Sequence, residues 1–236
     1  MMVDAMNILA IDTATAHCSV MLLVDGKEFF RSESAAQSHS RHILRMIDQL
    51  IVEAGIQLDV LHLLTWNAGP GSFTGLRIGA SVIQALAYSF KLPVLSLSSL
   101  EILAHAAQRN VCSTLTGHPV TIAVATDARM NGIYWASFIS RANSLERLEP
   151  DQLLAKDLLE DKRQAFDKQC CIVGDAWSLI ESAEGQVAAV EISAADVMAS
   201  AVTKNKQGWL VNPADCLPNY VHHTINWQKR QLRVIS

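Results

Sequence analysis

The tightest constraint on the fold is the stretch Gly69-Pro70-Gly71-Ser72-Phe73-Thr74-Gly75-Leu76-Arg77-Ile78-Gly79. It follows the apolar run from Val60 to Trp66, which reads as a buried strand, and leads into Ile78 to Phe90, a run without charge that reads as a helix. The chain must therefore pass from strand to helix through a joint rich in glycine. Glycine has no side chain, so the backbone of such a joint can come close to another group. Two uses of that approach follow. The free N–H groups at the helix start, with Arg77 in the first turn, suit an anion. Alternatively, the glycines dock the helix tightly on the sheet, a purely structural role. The spacing meets neither the Walker pattern, which needs Lys-Ser/Thr after the second glycine, nor the dinucleotide pattern, and this favours the structural role.

The flanking sequence sets the fold class. Ile8-Leu9-Ala10-Ile11-Asp12-Thr13 reads as an apolar strand ending on a carboxylate and a hydroxyl. Ser19 to Val24 predicts a second strand, Asp25-Gly26 a hairpin turn, and Glu28 to Ser32 the return. After a hinge over Asn110 to Pro119 the plan recurs. Val120 to Thr126 predicts a strand, Asp127-Ala128-Arg129-Met130-Asn131-Gly132 a turn, and Ile133 to Ser140 the return. Each half thus opens with a hairpin sheet and an aspartate at a strand end, Asp12 in the first, Asp127 with Arg129 in the second. The fold class this predicts is α/β, with two actin-like (ribonuclease H-like) domains over 6–109 and 118–215 and a tail over 216–236. Actin-like kinases hold metal and nucleotide phosphate at that aspartate, and place a glycine two residues after it. Here Ala14 stands in its place.

From His39 to Ala54 the residues Ile43, Met46, Ile47, Leu50, Ile51 and Ala54 recur at helical spacing, and Gly55 ends the pattern. Ile78 to Phe90 is apolar around nearly its whole circumference, which predicts burial on more than one side, by a neighbouring helix or by another chain. Further on, Pro93 to Leu97 reads as a strand, Ser98-Ser99 as an N-cap and Leu100 to Gln108 as a helix. Pro150 to Leu159 reads as a helix and Asp157 to Lys168 as a solvated helix or loop. Cys170 to Val173 predicts a strand, Ala176 to Ser182 a helix, Val187 to Val190 a strand and Ala194 to Lys204 a helix. The end, with Lys229, Arg230 and Arg233, reads as a solvated basic tail.

Composition excludes several functions. A net charge of −4 offers no concentrated basic face for holding nucleic acid unaided. The five cysteines are odd in number and scattered, with no Cys-x-x-Cys spacing, which argues against a disulfide framework or a zinc site and fits a reducing cytoplasm. His39 with His42, and His222 with His223, lack the spacing of a metallopeptidase pair. No secretory signal opens the chain, in which Met1 or Met6 is the start, and no charge-free apolar run approaches the roughly 20 residues of a membrane span.

The strand ending in Asp12-Thr13, the Gly69 to Gly79 motif, Asp127-Ala128-Arg129-Met130 followed by Tyr134-Trp135, and Pro218-x-Tyr220 together resemble the bacterial TsaB (YeaZ) family, in order and over nearly the whole chain. The resemblance implies a cytoplasmic, non-catalytic scaffold that binds and orders the transferase TsaD, and with the ATPase TsaE forms N6-threonylcarbamoyladenosine at adenosine 37 of ANN-decoding tRNAs. It implies no cofactor on the isolated chain, with ATP and metal on the partner subunits, tRNA reached through the complex, and a homodimer when the chain is alone. The partner interface is then expected on N-terminal helices, at His39, Ile43, Met46, Ile47, Leu50, Val82, Ala85 and Leu86. A charge introduced at Met46 or Ala85 is expected to abolish tRNA modification without unfolding the chain. Asp12, Thr13, Gly69, Pro70, Gly71, Ser72, Phe73, Thr74, Gly75, Arg77, Gly79, Asp127 and Arg129 are expected to form a vestigial phosphate-loop motif. The rival reading is an enzyme of the same superfamily, an ATP-dependent kinase using Asp12, Gly69 to Gly75 and Asp127, or a glycoprotease-like metallopeptidase.

Overall fold

The computed structural model describes residues 6–34, 39–110, 119–141, 144–166, 170–180, 186–188, 190–204 and 212–221. Strands β1 (Ile8–Asp12), β2 (His17–Val24) and β3 (Lys27–Ser34) form an antiparallel meander, and β4 (Leu63–Gly69) and β5 (Val94–Ser98) add in parallel beyond β1. The order is β3-β2-β1-β4-β5. Asp25 and Gly26 make the first hairpin because both take positive φ, 47° and 75°, which matches the strand twist. The second sheet repeats the plan. A meander of β6 (Val120–Arg129), β7 (Gly132–Arg141) and β8 (Ser144–Ala155) is followed by β9 (Cys171–Val173) and β10 (Gln186–Ala188), parallel beyond β6. Two sheets of one topology give the duplicated actin-like architecture that the two hairpin openings predict.

The helices are α1 (His39–Ala54), α2 (Phe73–Phe90), α3 (Ser99–Asn110), α4 (Leu158–Gln164) and α5 (Ala194–Thr203). Helices α3 and α5 lie between the sheets. Their Leu103, Ala107, Val197 and Met198 join Ile8, Ala10 and Leu97 of the first sheet to Ile122, Val124 and Phe138 of the second in one buried cluster. With each large buried side chain contributing about 1.5–3 kcal/mol, the halves share a core. Helices α1 and α2 cover the outer face of the first sheet, and α4 with the 3-10 turn Asp175–Leu179 covers the outer face of the second. No helix among the described residues is long and apolar enough to cross a membrane.

Three expectations are corrected. Pro150 to Ala155 is strand, not helix: β8 pairs with β7 along its length as the sheet's edge, and Pro150 falls where the register shifts, so its missing N–H costs no ladder bond. Helix α2 begins at Phe73, inside the glycine motif, because Ser72 caps it with its hydroxyl accepting from the Gly75 N–H at 3.3 Å. Strand β6 continues to Arg129, so the expected six-residue turn contracts to Met130-Asn131. The hinge over Asn110 to Pro119 lies largely, and the basic tail wholly, outside the described residues.

Candidate functional site

Parallel pairing of β1 with β4 brings Asp12 and Asn67 to the same end of the first sheet. There the Asp12 carboxylate is fully buried. It accepts hydrogen bonds from the Ala14 N–H at 2.8 Å, Asn67 Nδ2 at 3.1 Å and the Thr15 hydroxyl at 3.3 Å. Asn67 Oδ1 in turn accepts from the Gly69 N–H at 3.1 Å and the Ser99 hydroxyl at 2.6 Å. Burial outweighs these bonds and pushes the Asp12 carboxyl up to about 7, with the charge of Asp196 adding to the rise. A carboxyl so placed holds the β1, β4 and α3 ends together. It is poorly suited to a kinase's metal-binding role, which needs a charged oxygen facing a cleft.

The glycine motif closes over the same strand end. The Ser72 N–H donates to the Ala14 carbonyl at 2.9 Å, and the Thr13 hydroxyl donates to the Gly75 carbonyl at 2.8 Å. A Cβ on Gly75 would lie 1.8 Å from the Thr13 carbonyl oxygen, and one on Gly71 2.6 Å from that of Ala14. Gly79 packs on the Thr13 hydroxyl and the Trp66 ring. The close approach that glycine allows is thus taken up by the chain's own Thr13-Ala14 backbone. Arg77 stacks over the Phe73 ring at 3.9 Å and donates to the Tyr220 hydroxyl at 3.3 Å. The geometry favours the structural use of the motif over an anion site.

Asp127 and Arg129 are exposed on β6, with Asp127 Oδ1 accepting from the Arg129 N–H at 2.8 Å and the Asp127 N–H donating to Asp175 at 2.9 Å. Among the described residues neither hydrogen-bonds to the glycine loop. No cluster of three or more metal-ligating side chains occurs among the described residues. His42 pairs with Glu33, which also holds Arg45, while the His39 side chain, His222 and His223 lie outside the described residues.

The structure divides the expected interface residues. Ile43, Met46, Ile47 and Leu50 are buried against Leu9, Ile11, Leu22 and Trp66, so the apolar stripe of α1 faces the chain's own sheet and is not a docking surface. Val82 is buried with them and Leu86 is half-buried on the same cluster. Ala85 is exposed. It lines a groove of about 580 Å³ with Ser81, Gln84, Tyr88, Pro213 and Ala214. Tyr88 is 81% exposed, and on α1 Leu44 and Val52 are 52% and 80% exposed. None of these three is among the expected interface residues, although Tyr88 lies on the helix read as apolar around nearly its whole circumference. Leu44 and Val52 stand off the stripe of α1 and so face solvent.

A family model described as "TsaD: tRNA N6-adenosine threonylcarbamoyltransferase" matches residues 31–205. The tRNA threonylcarbamoyladenosine biosynthesis protein TsaB of Escherichia coli is 30% identical over 234 residues, 95% of this chain and 98% of that protein. The protein of the same name from Buchnera aphidicola subsp. Schizaphis graminum is 34% identical over 175 residues, 74% of this chain and 80% of that protein. The solved structure of YeaZ from Pseudomonas aeruginosa superposes with a TM-score of 0.76 at 27% identity, covering 91% of this chain and 99% of that one.

Proposed function

The chain belongs to the TsaB (YeaZ) family of tRNA threonylcarbamoyladenosine biosynthesis proteins, and from that premise we propose that it is the non-catalytic subunit that binds and orders a TsaD-type transferase. One observation carries the reading: α2 leaves Ser81, Ala85 and Tyr88 exposed on one face, while the polar strand end that would serve an enzyme is filled by its own packing. Small residues beside an exposed aromatic let a partner helix approach α2 closely, and aromatic side chains anchor interfaces. Leu44 and Val52 of α1 extend the apolar surface. Without the transferase the same face pairs two copies of this chain.

In this reading ATP and metal reside on the partner subunits, a TsaE-type ATPase completes the assembly, and tRNA meets this chain only within it. The product is N6-threonylcarbamoyladenosine at adenosine 37 of ANN-decoding tRNAs. The test is calorimetric titration of the TsaD-type subunit into the wild-type chain and into Ala85→Glu, with ATP titrated into the chain alone as a second arm. Binding by the wild type, its loss in Ala85→Glu with unchanged thermal unfolding, and no heat from ATP are the expected results. Undiminished binding by Ala85→Glu would overturn the α2 assignment. ATP binding by the isolated chain would return Asp12 and the glycine loop to the centre of a kinase reading.

A further inference from the structure

We propose that residues 212–221 form a latch that closes over the β4–α2 joint and ties the edge of the second sheet to it, with Asn219 as the bolt. The Asn219 N–H donates to the Ala68 carbonyl at 2.7 Å, at the end of β4. Its side-chain Nδ2 donates to Asp151 Oδ2 at 2.7 Å, on the edge strand β8. Asp151 also accepts from the Ser98 hydroxyl at 2.6 Å, at the end of β5, and pairs with Arg147. Asn219 therefore bridges β4 of the first sheet to the edge of the second, at a carboxylate that β5 also reaches through Ser98.

On either side of Asn219 the segment grips α2. The Tyr220 ring lies 5.6 Å from that of Phe73 and its hydroxyl accepts from Arg77. The Cys216 carbonyl accepts from Gln84 Nε2 at 3.1 Å, and the Cys216 side chain is buried in the cluster beneath α1 and α2. Cys216 is the sole fully buried residue of 212–221, and Leu217 is 64% exposed. A segment held by directional polar contacts and little apolar burial opens locally, well below the cost of global unfolding. Pro213 and Ala214 of the latch form one wall of the groove whose other wall is Ser81, Gln84, Ala85 and Tyr88. Opening the latch therefore dismantles the groove on α2 and removes the Asn219 partner of Asp151 in the same event, while Ser98 still holds that carboxylate. The inference concerns the isolated chain and holds whatever docks on α2.

The buried Cys216 thiol is a built-in reporter. The experiment is peptide-resolved N-ethylmaleimide labelling of the full, native chain, each thiol being compared with itself between variants. Asn219→Asp keeps the side-chain shape and sets a carboxylate against Asp151. It is expected to accelerate Cys216 labelling about tenfold, the scale of a hydrogen bond to a charged group, while Cys18 in the first sheet keeps its rate. The exchange Asn219→Asp with Asp151→Asn restores the amide–carboxylate pair and is expected to return Cys216 toward the wild-type rate. If Cys216 and Cys18 change by the same factor, or Cys216 does not change, the latch is overturned. If the exchange fails to slow Cys216, the bolt assignment is overturned. Should Asn219→Asp fail to fold, Asn219→Ala carries the same comparison.

Discussion

Replacing Asp12 by asparagine should stabilise the protein, and more so at alkaline than at acid pH. Asp12 is fully buried, and its carboxyl is pushed from 3.8 up to about 7, burial outweighing the bonds from Ala14, Thr15 and Asn67. A rise of that size corresponds to roughly 4 kcal/mol of cost for holding the charged form in the fold. Below about pH 4 both the folded and the unfolded chain keep the proton, and the site carries no such cost. Between about pH 4 and 7 the unfolded chain releases the proton while the folded chain retains it, so stability falls as pH rises. Above about 7 the cost is present in full. Asparagine is nearly isosteric, has no charge to bury, and can still accept from Ala14 and Asn67 through its oxygen. The stability difference, variant minus wild type, should therefore grow by roughly 2–3 kcal/mol between pH 5 and pH 8. Urea unfolding of both proteins at the two pH values measures it. An equal difference at both would refute the argument, because it would mean that the hydrogen bonds offset burial and the carboxyl ionises as it does in water.

Met46→Glu should lower stability by at least about 3 kcal/mol, because it buries an unpaired charge beside Ile11 and Trp66, whereas Ala85→Glu should leave the unfolding curve unchanged; equal urea curves would contradict the burial of the α1 stripe. Gly75→Ala should cost about 1–3 kcal/mol or more, since its Cβ would meet the Thr13 carbonyl oxygen. Gly26→Ala, with positive φ and open space around it, should cost only about 1 kcal/mol, and a larger loss at Gly26 than at Gly75 by thermal denaturation would reverse the explanation. Ser193→Ala removes the capping box of α5, in which Ser193 and Asp196 bond reciprocally, and should cost about 1 kcal/mol in the same assay.

The duplicated architecture was legible because its signals are local. Alternation with Asp25-Gly26 specifies the first hairpin within a few residues, alternation on either side of a turn specifies the second, though its turn is shorter than the six residues expected, and the stop at Gly55 bounds α1 at Ala54. Asp12 at the end of β1 was equally legible. What periodicity could not say is what covers an apolar face. The stripe of α1 reads the same whether its cover is a partner or the chain's own sheet, and only the packing of β1, β2 and β4 beneath it selects the sheet. Pro150 misled for a related reason: the segment after it suits a helix locally, and pairing with β7 at an edge with a shifted register overrides that preference.

The amino-acid order by itself determined the strands of the two opening hairpins and of β4 and β5, the repeat and the family. Tertiary structure alone decided that the glycines of the central motif make room for the Thr13-Ala14 backbone, that Asp12 is closed off from solvent, and that Asn219 spans both sheets. Clearance, burial and cross-sheet hydrogen bonds are distances between residues far apart in the chain, and no local pattern encodes them.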